Sequence, residues 1–289
     1  MPINFSMDSA LRTQGGLKLY GEITVRARKV MLALNRRDFL TANILVEAIQ
    51  ADLPHTTECD DEDLANDIFV LNSYSQFLAS YVNLWSLILA GKYSSSWDCL
   101  QDCLNLLRSI KRFSRIKVDE FEDQLVGLEK IYPYNVFFSI GGIAGQLVCT
   151  ICGELSDSAS CVHISGELYG GKLAQRITRD VVQLDHIAIV SNPADKKCVV
   201  RYEDSGTQFK LVRYLRDLIF DSRLCIVSFG ELEFSKKLIS NGAYKILGRN
   251  EECFCGSGKK FKRCCISKEF VEHEEVIFMP KTRLISDFV

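Results

Sequence analysis

At 289 residues, with 47% hydrophobic and 25% charged residues, the chain has an ordinary globular composition and length enough for two compact domains. Its formal net charge of −2 excludes a protein that coats nucleic acid or membrane with its whole surface. The most apolar stretch, 77–90, is interrupted by Ser80, Asn83 and Ser86 and is shorter than the ~20 residues of a membrane span, so it is expected as a buried core helix.

The first half reads as helical. Residues 17–52 hold long runs of helix formers and are closed by Pro54. Residues 60–90 open on a cluster of acids, which suits a helix N-terminus, and continue to Gly91. Ser94-Ser95-Ser96 offers an N-cap to a third run, with Trp97, Leu100, Leu104 and Leu107 at helical spacing. In that run Cys99 and Cys103 share a face and read as small buried hydrophobes. A further helix is expected over 118–131, ended by Tyr132-Pro133.

After Pro133 the glycines 141, 142 and 145 break the chain up. Strands are expected at 181–190, 198–202 and 224–229, helices at 207–220 and 231–240, a turn at Asn241-Gly242, and a last strand over 271–278. The expected fold class is α+β. A helical bundle (1–133) precedes a small zinc-bearing α/β module (134–247), a C-terminal zinc knob (248–268) and a tail (269–289).

Met1 to Ser6 lack a basic stretch followed by an apolar core, so a cytoplasmic protein without membrane insertion is expected. Twelve cysteines in a reducing compartment point to metal rather than disulfides. Seven of them fall into two tight groups, which decides where to look.

In the C-terminal group, Cys253 and Cys255 stand one residue apart, and Cys264 and Cys265 follow an eight-residue loop. Four thiolates on so short a backbone can close a tetrahedral site, and zinc accepts four soft ligands without redox demands. Gly256 and Gly258 permit sharp turns, while Lys259, Lys260, Lys262 and Arg263 offset the thiolate charge. The segment from Gly248 to Cys265, with Cys-Phe-Cys-Gly-Ser-Gly-Lys-Lys-Phe-Lys-Arg-Cys-Cys at its core, closely resembles the SEC-C motif, the metal-binding tail of the bacterial Sec-pathway motor ATPase. In that family the fourth ligand is His or Cys, here Cys265, and Glu252 replaces a common proline. The resemblance implies a docking surface for a protein or ribosomal partner. From Gly230 to Lys268 nine Lys or Arg stand against four Glu, which agrees with an acidic protein, ribosomal RNA or DNA as partner.

The middle group is Cys149-Thr150-Ile151-Cys152 followed by Cys161-Val162-His163. Cys149, Cys152, Cys161 and His163 are expected to form a Cys3His structural site, its four ligands leaving no open position for catalysis. That makes two Zn²⁺ per chain. The glycine-rich exit, 166–172, lacks the spacing of a phosphate loop.

Leu184-Asp185-His186-Ile187 is similar to the Asp-His that opens the active site of HNH-type endonucleases. No second Cys-x-x-Cys and no Asn/His helix completes that pattern, and His186 lies in a β-type apolar run. The expectation is therefore a zinc-binding bacterial interaction or adaptor protein, not an enzyme, whose knob docks a protein or ribosome. Analogy with other proteins bearing this tail implies, as an expectation only, an accessory component of a larger system such as a stress or anti-phage system. A nucleic-acid-acting protein using His186 is the alternative.

Overall fold

The computed structural model describes residues 10–56, 59–227, 229–240, 247–253 and 258–280. Its six described helices and small antiparallel sheets make an α+β fold. The chain divides at Phe229: the helices belong to the first unit, and the second spans Gly230–Pro280.

The helices are α1 (Gln14–Asn35), α2 (Phe39–Asp52), α3 (Glu62–Leu89), α4 (Tyr93–Phe113), α5 (Asp119–Glu129) and α6 (Lys210–Phe220). The expected run 17–52 is two helices, because Arg37 turns the chain in the left-handed region (φ 60) and Asp38 caps α2 by accepting from Thr41 N–H. Arg37 also donates to the Ile219 and Phe220 carbonyls (3.4 and 3.2 Å), which closes the C-terminus of α6. The acids expected before α3 do cap it, Asp61 accepting from Asp63 and Leu64 N–H.

α3 forms the centre of the core. Its Tyr74, Phe77, Tyr81 and Trp85 are fully buried, and Phe121 of α5 meets Phe77 and Tyr81 edge-on at 5.1 and 5.3 Å between ring centroids. Within this core Gln124 accepts from the Tyr81 hydroxyl (2.5 Å) and donates to the Ile226 carbonyl (2.8 Å). Cys103 is buried among apolar side chains as expected, and burial pushes its thiol well above the usual value.

The cap of α4 departs from expectation. The helix begins at Tyr93, before the serine triplet, and Ser94 N–H donates to the Asp204 carboxylate (2.7 Å). A distant acid thus replaces the local serine cap. Residues 198–202 are not a strand; they are held by side chains, with Arg201 on Asp98 (2.8 Å) and Tyr202 stacked on Tyr134. Just ahead of them, Trp97 Nε1–H donates to the Lys196 carbonyl (2.8 Å).

Beyond the bundle runs a two-stranded ribbon. β1 (Phe137–Ala144) pairs antiparallel with β6 (Val181–Val190), from Phe137↔Val190 to Ala144↔Val181. Gly145 N–H bonds the Asp180 carbonyl (2.8 Å), and β2 (Leu147–Cys149) continues the ladder against β5 (Arg176–Thr178). The short hairpin of β3 (Leu168–Tyr169) and β4 (Lys172–Leu173) lies within the loop at the ribbon's tip. Strand 181–190 is as expected, whereas β1 forms despite its glycines.

In the second unit β7 (Phe229–Ser240) pairs with β8 (Phe270–Pro280). The strand expected near 271–278 is there. The helix expected at 231–240 is a strand instead, since pairing with β8 overrides local helix propensity. Of the strand expected at 224–229, residues 224–227 are an irregular stretch in which Ile226 and Val227 are buried, and Phe229 opens β7. The Asn241-Gly242 turn lies outside the described residues.

Candidate metal centres

The central group is assembled at the ribbon's tip. β2 delivers Cys149, and the chain turns back so that Cys149 N–H bonds the Glu154 carbonyl and Gly153 N–H bonds the Cys149 carbonyl (both 2.9 Å). This tight turn aims backbone donors at sulfur. The Cys152 and Ile151 N–H groups hold the Cys149 thiol below the ordinary cysteine value, Ile151 N lying 3.4 Å from Sγ. Cys161 enters on a second turn, its N–H bonding the Ser158 carbonyl (3.0 Å).

The ligand atoms of Cys149, Cys152, Cys161 and His163 all lie within 4.8 Å of one another. Cys152 and Cys161 sulfurs are 3.8 Å apart. Metal–sulfur bonds of about 2.3 Å in a tetrahedron set sulfur–sulfur edges of about 3.8 Å, whereas a disulfide needs ~2.05 Å. His163 Nδ1 is buried without a hydrogen-bond partner, a state that costs ~1–3 kcal/mol unless the nitrogen meets a donor or a metal. Tyr169 packs edge-on against the imidazole at 4.7 Å and fixes its plane. Three soft sulfurs, one orphaned nitrogen and tetrahedral spacing suit a closed structural zinc site.

What fixes this tip to the bundle was not foreseen from sequence. Gly171 N–H donates to the side-chain amide oxygen Oδ1 of the buried Asn66 of α3 (2.9 Å). Gly171 has φ 72, and a Cβ there would meet Thr56 Cβ at 2.6 Å and the Ala65 carbonyl oxygen at 2.7 Å. Arg112 of α4 also pairs with Glu167 (3.0 Å), an exposed contact of small worth. The signal was the Gly170-Gly171 pair, legible as a turn but not as a docking point.

The C-terminal group sits in the second unit. Cys253 N–H bonds the Lys259 carbonyl and Phe261 N–H bonds the Glu251 carbonyl (both 2.8 Å), so a short hairpin carries the first ligand. Gly258 lies in the left-handed region at φ 68, as its expected turn requires. A single 3-10 turn, Phe261–Arg263, then presents Cys264 and Cys265. Cys253, Phe261, Cys265 and Val271 form a miniature core, with Leu247, Cys264 and Ile266 against it.

The sulfurs of Cys253, Cys264 and Cys265 lie within 4.8 Å of one another, those of the adjacent pair 3.7 Å apart. This again matches a tetrahedral edge of about 3.8 Å. Cys255 and Gly256 lie outside the described residues. Lys259, Lys260, Lys262 and Arg263 are exposed around the cluster.

His186 joins neither group among the described residues. It is exposed on β6, its Nδ1 3.2 Å from the Asp185 carboxylate, and its ring lies across Gly141, where a Cβ would have no room. His55 is exposed on the loop after α2, and His273 lies in β8.

Residues 249–266 match the family model of the SEC-C motif. No curated protein and no solved structure matches the chain. The chain therefore carries a SEC-C motif, together with a second cluster of side chains that could hold a metal and that the match does not cover. Among the described residues, no helix is long and apolar enough to cross a membrane.

Proposed function

We propose that this is a cytoplasmic zinc-binding interaction protein whose SEC-C knob docks a protein or ribosomal partner. Cys253, Cys264 and Cys265, with Cys255 as the fourth ligand, hold one Zn²⁺. Cys149, Cys152, Cys161 and His163 hold another, closed to substrate and structural in role. The observation that carries the metal reading is the sulfur spacing of 3.7 and 3.8 Å in two groups built independently. The docking reading is supported by the SEC-C match and by the exposed basic residues at 259–263.

In such a knob the metal fixes a small loop rigidly, and the cations on it supply recognition of an acidic surface. Elemental analysis is expected to find two zincs in the wild type. One should remain after Cys152→Ser, and one after Cys264→Ser with Cys265→Ser. A wild type with a single zinc, retained in the Cys152→Ser protein, would remove the central site. Co-sedimentation with ribosomes should be lost in Lys260→Glu with Lys262→Glu while the zinc count stays at two. Unchanged sedimentation would sink the ribosomal docking reading.

A further inference from the structure

The two candidate metal groups differ in how far solvent reaches their sulfurs. In the central group Cys149 is buried, Cys161 is half-buried and Cys152 is exposed. In the C-terminal group Cys253 and Cys265 are 3% and 1% exposed, inside the miniature core, and Cys264 is half-buried. A small polar oxidant therefore meets an open sulfur at the ribbon's tip, whereas two ligands of the knob are shielded from it.

The sulfurs also differ in how they are held. Cys149 belongs to β2, faces Arg176 of β5, and its sulfur accepts from Ile151 N–H (3.4 Å). Cys152 and Cys161 stand on turns outside any strand or helix, their sulfurs 3.8 Å apart. A bond of ~2.05 Å is less than ~2 Å of movement away, and no ladder holds either residue back. In the knob, the Cys264 and Cys265 sulfurs are as close (3.7 Å), but these residues are adjacent in sequence. Their Cα atoms are therefore ~3.8 Å apart, short of the ~4.4–6.8 Å usual for a disulfide.

We propose that peroxide joins Cys152 to Cys161 and expels the central Zn²⁺ while the knob keeps its own, an inference that rests on the zinc reading of the central cluster above. The Cys152 thiolate attacks a peroxide oxygen: an S–O bond forms, the O–O bond breaks and hydroxide leaves. The Cys161 thiolate then attacks that sulfur: the S–S bond forms, the S–O bond breaks and a second hydroxide leaves. Two protons convert both hydroxides to water, and two electrons have passed from the sulfurs to peroxide. The metal has lost two of its three anionic ligands and departs. His163 Nδ1 is then a buried nitrogen without a partner, so the tip loosens.

Treating the full zinc-loaded chain with hydrogen peroxide beside a chromophoric zinc indicator tests the proposal. One zinc per chain should be released ahead of the other, and peptide mapping by mass spectrometry should find Cys152 joined to Cys161. Dithiothreitol with added zinc should restore the count to two. The Cys264→Ser, Cys265→Ser protein carries only the central zinc and should lose all of it. Retention of both zincs overturns the proposal, and so does release of both together or of the knob zinc first. A bridge through Cys149, or sulfinic acid in place of any bridge, overturns it equally. An untreated chain that holds only the knob zinc is a distinct failure, in which the zinc reading of the central cluster falls and the release falls with it.

Discussion

Gly171 shows how much can depend on one residue without a side chain. It has a left-handed backbone, no space for a methyl group, and an N–H given to a buried amide oxygen. Gly171→Ala should cost ~1–3 kcal/mol from the backbone conformation and the clash together, read as a lowered midpoint in urea unfolding. An unchanged midpoint would mean the tip is not held where Asn66 meets it. The two clusters of candidate ligands were far more legible than this contact. Thiols two or three positions apart announce shared chemistry in one dimension, while the partner of Gly171 stands 105 residues away. His163 was expected as the fourth ligand from its place beside Cys161, and its ring nitrogen Nδ1 is buried without a hydrogen-bond partner.

Among elements, helices were legible wherever apolar spacing set them. α3 lies within a residue or two of its expected span, and its acid cap was foreseen. The misreadings share one cause, contacts distant in sequence. α4 begins early because Asp204 supplies its cap, and β7 is a strand because β8 pairs with it. β1 was hidden because Gly141 and Gly142 look like breakers, although there they admit a bulge and the His186 ring. Gln124 is the clearest load between elements, since it joins α5 to α3 and to the chain at Ile226. Gln124→Ala leaves the Ile226 carbonyl without this donor and opens a cavity. The expected loss is ~2–4 kcal/mol by chemical denaturation. A loss under ~0.5 kcal/mol would show that the site relaxes freely.

At the scale of the whole chain, the proposed metals and the large apolar core are separate supports. The helices are packed by Trp85, Trp97, Phe77 and their neighbours, and no ligand of either cluster belongs to α1–α6. Zinc removal by a chelator is therefore expected to leave far-ultraviolet helical dichroism nearly intact. Amide protection should fall at 149–176 and 247–266 under the same treatment. Loss of helix on chelation would mean that the bundle depends on its knobs. The two candidate ligand clusters followed from cysteine placement, whereas the ribbon joining tip to base required the pairing itself to be seen.

The ribbon also sets an order of events in time. Its ladder is nested: Cys149 faces Arg176 at the inner end, Ala144 faces Val181 further out, and Phe137 faces Val190 last. The inner contact closes the shortest loop, so the entropy of closure favours starting there, and each later pair adds only a small increment. The four ligands fall within residues 149–163, inside that innermost loop. A metal captured early would shorten the search for register, and the strands would then zip outward from the tip. Phe137 is buried and its neighbour Phe138 bonds Cys198, so the last pairs to form are also those that join the ribbon's base to the chain beyond β6.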